Sequence, residues 1–438
     1  MPYLLNVAYL LVLVLAAPWL AVQAWRKGKY REGFAAKFCG RVPVRQGDCP
    51  CVWLHAVSVG EVNLLATLIA ELRIRHPQWE LVISTTTMTG YALARAKYGA
   101  SAVFYCPLDF TWAVRTAMRR IRPNLLVLAE LELWPNLIAA ARSAGARVAI
   151  INGRLGDHSF RGYRRIQRWV APVLKQIDLI AAQNQQAAER FLALGAVADA
   201  VHVTGSLKFD GARTDRDNPD TLRLGKLAGI AASDVVFLAG STQEPEEELA
   251  LAAYRQLRGQ FPHLRLLIVP RHPDRFERVA EAIRASELPW QRRSELDARL
   301  PDPLARVLLV DRVGELGAWW GTARVAFVGG SMGTRGGQNM IEPAAYGAAV
   351  SFGPRTHNFR DVVAALLQRQ AAVVVHDGGQ LTDFVARCLR EPRFADELGA
   401  RARQVVAANL GATGRTADRL EPLFAHAGSS PGAGRQAA

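Results

Sequence analysis

Between Cys51 and Val375 the chain repeats one pattern: a short apolar run, a turn of small or polar residues, then a segment with apolar side chains at helical spacing. The runs are Cys51–His55, Leu81–Ser84, Val103–Tyr105, Leu125–Ala129, Val148–Ile151, Leu179–Ala182 and Val201–Val203. After the polar stretch Asp210–Pro219 they resume with Val235–Ala239, Leu264–Val269, Val307–Val310, Val325–Val328, Ala349–Phe352 and Ala372–Val375. Unbroken apolar runs suit strands buried on both faces, and parallel strands need a crossover between them, usually a helix. The rhythm therefore predicts two Rossmann-like α/β domains with parallel sheets, joined near residues 210–220 and facing a cleft. A chain of 438 residues has material for two such cores.

In open parallel sheets ligands bind beyond the carboxyl ends of the strands, so residues just after each run are the candidates for chemistry. Ser58-Val-Gly-Glu61 follows the first run. It fits a capping box, with Ser58 as N-cap and Glu61 reaching back to the backbone, and it equally places a carboxylate at the rim. Thr85–Gly90, Glu130–Asn136 and Asn152-Gly-Arg154 follow later runs. Each alone reads as a cap or a turn; together they gather at one edge. Arg161, Arg164, Arg165 and Arg168 are either a solvated helix face or a surface for substrate phosphates or lipid headgroups. Lys208, in Gly205–Asp210, could place a positive charge over the cleft.

The second half offers Ala239-Gly-Ser-Thr242 before an acidic helix start, a plausible anion cradle without P-loop spacing. Arg271 lies in Val269-Pro-Arg-His-Pro273 and presents a fork suited to phosphate. Glycine-rich Gly329–Gly337 runs into Gln338, Asn339 and Glu342. Asn339 and Glu342 share a helix face, and a carboxylate there can take both hydroxyls of a ribose. Five scattered cysteines argue for a reducing compartment, and no histidine cluster points to a catalytic metal.

Tyr3–Trp25 is almost wholly apolar, broken by Asn6, Pro18 and Gln23, and its length suits a helix that spans or deeply enters a bilayer. Positive charge follows it at Arg26, Lys27, Lys29, Arg31, Lys37, Arg41 and Arg45. That places the main body on the cytoplasmic face, beside anionic lipid. A net charge of +15 agrees with an anionic partner. The expected layout is an anchor (1–25), two α/β domains (26–215 and 216–425) and a disordered tail (426–438).

Taken together, Ser58–Glu61, Glu130-Leu-Glu-Leu-Trp-Pro-Asn136, Asn152-Gly-Arg-Leu155, Gly205–Asp210, Val269–Pro273, Gly314-Glu-Leu316 and Gly336-Gly-Gln-Asn339 with Glu342-Pro343 resemble the Kdo transferases. These are membrane-anchored glycosyltransferases that add 3-deoxy-D-manno-octulosonic acid to lipid A precursors in lipopolysaccharide synthesis. The resemblance implies a GT-B fold in which residues 26–215 receive the acceptor and residues 216–425 hold the donor, with the last helix packing back on the first domain, an inverting transfer from CMP-Kdo to lipid IVA at the inner membrane, and no cofactor, metal or nucleic-acid partner. It implies Glu61 as the catalytic base, supported by Glu130 and Lys208. CMP would contact Pro270, Arg271, Val313, Gly314, Glu315, Asn339, Met340, Ile341 and Glu342, while Arg154, Arg161 and Arg164 would meet the acceptor. Gln243 and Gln338 stand where the family usually has histidine. The rival readings are another GT-B nucleotide-sugar enzyme, a transferase or an epimerase, and a non-catalytic membrane adaptor.

Overall fold

The computed structural model describes residues 2–27 and 32–425; the tail expected to be disordered lies outside them. The chain forms two compact units, Met1–Gly211 with Leu410–Ala438, and Ala212–Asn409. Each contains one seven-stranded sheet in which every pairing is parallel.

In the first unit the strands are β1 (Cys51–His55), β2 (Glu80–Thr85), β3 (Val103–Tyr105), β4 (Leu125–Ala129), β5 (Arg147–Gly153), β6 (Leu179–Ala182) and β7 (Val201–Val203). Their spatial order is β3-β2-β1-β4-β5-β6-β7. The winding reverses between β1 and β4, so the crevice expected at such a reversal is flanked by the loops after those two strands. Those loops carry Glu61 and Glu130. The sheet is apolar on both faces: Trp53 packs with Phe104, Leu126 and Leu128, and Val52 and Leu54 pack with Leu65, Leu68 and Ile69. The C-terminal helix Ala412–Ala425 returns to this unit, with Ala417 and Leu420 buried on the second face. Asp210 fastens its start by accepting the N–H groups of Gly411 (2.7 Å) and Thr413.

In the second unit the strands are β8 (Val235–Thr242), β9 (Leu264–Pro270), β10 (Trp290–Arg292), β11 (Val307–Leu309), β12 (Val325–Val328), β13 (Ala349–Phe352) and β14 (Val373–Val374). The order β10-β11-β9-β8-β12-β13-β14 reverses between β8 and β12. The loops at this second reversal are Ser241–Gln243 and Gly329–Ser331. Strand β10 was not expected. It is a three-residue edge strand, Trp-Gln-Arg, too short and polar to register as an apolar run.

The apolar N-terminal stretch is a helix, Pro2–Lys27. Among the described residues no helix is long and apolar enough to cross a membrane. Asn6 and Pro18 interrupt the apolar length, and one side of the helix is docked on its own unit: Asn6 is buried, and Tyr9 packs edge-on against Phe110 with ring centroids 6.1 Å apart. Arg45, expected among the membrane-flanking charges, is buried, and donates to the carbonyls of Ile121 (2.7 Å) and Cys49 (2.9 Å).

Leu54 is fully buried at the centre of the first sheet. Leu54→Ala is expected to cost about 2–5 kcal/mol, read as a lowered urea midpoint of the first unit.

Candidate active site

The helix Val59–Arg75 starts where β1 ends, with Ser58 as N-cap. Glu61 folds back over this start: Oε2 accepts the Val57 N–H at 2.8 Å and Oε1 the Ser58 hydroxyl at 2.8 Å. The capping reading is thus realised in a variant form, using the Val57 amide instead of that of Ser58. Val57 is held from its other side too, because its carbonyl accepts the hydroxyls of Thr85 (3.0 Å), Thr86 (3.3 Å) and Thr87 (3.3 Å). Gly90 makes room for this cluster, since a Cβ there would stand 2.6 Å from the Thr85 Oγ1.

Burial raises the Glu61 pKa, opposed by the Val57 and Ser58 hydrogen bonds and reinforced by the charges of Glu132 and Glu130. The loop after β4 therefore stands beside Glu61, as the winding reversal requires. Within it, Trp134 Nε1 donates to Glu132 Oε2 at 2.8 Å, and burial raises the Glu132 pKa. Glu130 pairs with Lys208, Nζ to Oε1 at 3.2 Å. Two non-glycine residues, Glu130 (φ 56°) and Asn152 (φ 53°), adopt left-handed backbone at the ends of neighbouring strands, a strain found at functional sites. Asn152 Oδ1 accepts the Leu207 N–H at 3.1 Å and so fixes the residue next to Lys208.

Arg161 and Arg164 lie exposed on the helix Asp157–Arg165, and Arg154 is half-buried after β5. Burial and the nearby Glu132 charge raise the pKa of Tyr163 on that helix, which brings the helix near the loop after β4. Sequence reasoning passed over His55. It is fully buried, its Nδ1 lies 2.8 Å from the Ser84 hydroxyl, and its ring meets Trp134 edge-on. Burial pushes its pKa down to about 4, so it is a neutral wall of the site. Its place at the end of an apolar strand was the available signal.

In the second unit the glycine-rich turn after β12 is filled from within. Glu246 accepts four backbone N–H groups: Gly330 (2.7 Å) and Gln243 (2.9 Å) on Oε2, Ser331 (2.9 Å) and Met332 (2.9 Å) on Oε1. The acidic helix start beside the supposed cradle is thus the anion inside it. Gly329 is required by closeness, as a Cβ there would lie 2.7 Å from Glu246 Oε2.

What remains open lies next to this lock. Arg271, exposed after β9, donates from Nε to Gln338 Oε1 at 3.1 Å. Gln338 and Gln243 both lie over Gly330, their Nε2 atoms 3.1 and 3.5 Å from where its Cβ would be. Asn339 Nδ2 donates to Glu342 Oε1 at 3.0 Å. Burial raises the Glu342 pKa, while Asn339 and the Arg271 charge pull it back, which brings Arg271 and Glu342 into one neighbourhood. Gly317 also approaches Glu342: a Cβ there would be 3.9 Å from its Oε2. The Val313-Gly314-Glu315 segment thus leads to the same place, with Val313 and Gly314 exposed.

Four expected contacts are narrowed. The Glu315 carboxylate is gripped by Arg293 through Nε (2.9 Å) and Nη2 (2.8 Å), leaving chiefly the backbone of that segment for a ligand. Met340 and Ile341 bury their side chains. Pro270 closes β9 opposite Thr242. Among the described residues no group of three or more His, Cys, Asp or Glu is arranged to hold a metal ion.

Residues 29–211 match the family described as 3-deoxy-D-manno-octulosonic-acid transferase (kdotransferase). The chain is 35% identical over 430 residues to the 3-deoxy-D-manno-octulosonic acid transferase of Bordetella pertussis, covering 94% of this chain and 98% of that protein. It is 32% identical over 404 residues to the enzyme of the same name from Haemophilus influenzae, covering 90% and 92%. A solved UDP-GlcNAc 2-epimerase from Neisseria meningitidis shares the fold, with 12% identity, TM-score 0.56, and coverage of 85% of this chain and 100% of that one.

Glu246→Ala would strand buried N–H groups at about 1–3 kcal/mol each. The second unit is expected to lose at least about 3 kcal/mol, measured as a lower urea midpoint, with Glu246→Gln falling between the two.

Proposed function

The chain belongs to the Kdo transferase family, and on that premise we infer that it moves Kdo from CMP-Kdo to a lipid A precursor, lipid IVA, by an inverting glycosyl transfer. The observation that carries the mechanism is the position of Glu61: a half-buried carboxylate of raised pKa where the first sheet reverses its winding, beside Glu130 and Glu132. A raised pKa makes it a better base than an ordinary surface glutamate.

In this mechanism Glu61 takes the proton of a glucosamine hydroxyl as that oxygen bonds to the anomeric carbon of Kdo. The anomeric bond to phosphate breaks on the opposite face, and CMP leaves with its electron pair. Each Glu61 oxygen accepts one hydrogen bond here, which leaves a lone pair for the incoming hydroxyl. Lys208, neutralised by Glu130 at rest, stabilises negative charge on the reacting sugar, and Arg271 meets the phosphate. The carboxylate of Glu342, oriented by Asn339, takes the ribose hydroxyls. Arg154, Arg161 and Arg164 face the acceptor phosphates.

The helix Pro2–Lys27 exposes Val7, Leu10, Leu11, Val14 and Leu15. Spaced three and four apart, they form one apolar side. In our reading this side lies in the cytoplasmic leaflet of the inner membrane, in the manner of an interfacial helix, and the GT-B units work at that surface.

The test is incubation of the purified protein with CMP-Kdo and tetra-acylated lipid A precursor, followed by mass analysis. The expected product is heavier by one or more Kdo residues; no added Kdo would refute the assignment. Glu61→Gln keeps the shape and removes the base, so turnover is expected to fall at least about 100-fold. Near-normal turnover in the folded variant would sink the role of Glu61. Protection from thermal unfolding by UDP but not CMP would favour the epimerase-like alternative.

A further inference from the structure

Two helices around the first site begin without a cap of their own. Thr111–Ile121 follows Phe110, and Pro135–Ser143 follows Trp134; neither N-cap side chain bonds the helix start. Free N–H groups at a buried helix start must find acceptors elsewhere. For the first helix the acceptor comes from the N-terminal helix: Asn6 Oδ1 accepts the Thr111 N–H at 3.1 Å, and Asn6 Nδ2 donates to Thr111 Oγ1 at 2.8 Å. For the second it is Asp109, whose Oδ2 and Oδ1 accept the N–H groups of Asn136 (3.1 Å) and Leu137 (2.8 Å).

Asp109 is itself held from the N-terminal helix, by the Tyr9 hydroxyl at 3.2 Å. The Asn136 side chain closes the network, donating to the Asp109 carbonyl at 2.6 Å and to Asn6 Oδ1 at 3.4 Å. Asn6, Asp109, Thr111 and Asn136 are all buried. Buried polar groups are costly unless paired, so these residues constrain one another closely. A helix serving only as an apolar tether has no use for them.

The network ends at the site. Pro135–Ser143 starts at Trp134, whose indole holds Glu132 and whose ring backs onto His55. Glu132 and Glu130 are the carboxylates that act on Glu61. We propose that the N-terminal helix is a structural wall of the acceptor-side site. Through Asn6 and Tyr9 it holds Asp109 and the start of helix Pro135–Ser143, and thereby positions the Glu130–Trp134 loop against Glu61. Asn6 and Tyr9 are positioning residues, and membrane attachment and catalytic geometry share one element. The proposal rests on the transferase reading for its kinetic consequence, but not for its structural one.

Asn6→Leu makes the helix more apolar and removes both bonds to Thr111. Tyr9→Phe keeps the ring against Phe110 and removes only the hydroxyl. Tested as full chains with CMP-Kdo and lipid A precursor, both variants are expected to lose about tenfold in kcat, as small misplacements of catalytic groups do. KM for CMP-Kdo and association with lipid vesicles should stay as in the unaltered protein. Both variants at full kcat would overturn the proposal.

Amide hydrogen exchange supplies a readout independent of turnover. Exchange at Asn136 and Leu137 is expected to rise at least about tenfold in each variant. Unchanged exchange would overturn the wall even in a protein that transfers no Kdo. Faster exchange in such a protein would uphold the wall while the transferase reading fell. Tyr9→Phe, the milder change, decides the matter if Asn6→Leu does not fold.

Discussion

The peptide unit of Val57 ties the first site together. Its N–H is bonded by Glu61 and its carbonyl by Thr85, Thr86 and Thr87. One residue thus joins the end of β1, the end of β2 and the first turn of the helix that carries Glu61. The Glu61 carboxylate therefore has its direction set before any substrate arrives, and preorganised charge is what enzymes exploit most. The cap and the proposed base are one structure, because the bonds that orient the carboxylate leave lone pairs for chemistry.

The same constraint, that a buried carboxylate must be met by donors, shapes the rest of the molecule. Glu246 satisfies it with the amides of the glycine-rich turn, and Asp109 with a helix start and the Tyr9 hydroxyl. Glu61, Glu132 and Glu342 are met less fully, and burial raises their pKa values. By this measure Glu61 and Glu132 mark the first site and Glu342 the second. Glu246 and Asp109, whose pKa values burial also raises, that of Asp109 to about 6, are set apart by their fuller sets of hydrogen bonds.

Much of this was legible in the sequence because parallel strands buried on both faces leave unbroken apolar runs. Every long run became a strand, and the residues just after the runs reached the rims where Glu61, Glu130, Arg271 and Glu342 stand. The polar edge strand Trp290–Arg292 left no such trace. Long-range pairings were also hidden: nothing local says that Glu246 will fill a turn more than eighty residues away, or that Arg293 will claim Glu315. The apolar N-terminal stretch was readable as a helix. Its docking was not, because Asn6 looks like a blemish in an anchor until Thr111 is beside it, and nothing local pairs Tyr9 with Asp109.

The account turns on whether Glu61 must be ionised for transfer, and the pH dependence of single-turnover Kdo transfer tests this most directly. A base whose pKa is raised loses its proton-accepting form as the pH falls through that raised value. The account predicts an acid limb whose midpoint lies above the ordinary glutamate value of about 4.3, present in the unaltered protein and absent from the residual rate of Glu61→Gln. A rate independent of pH across that range in the folded protein, or the same limb in both proteins, would contradict it.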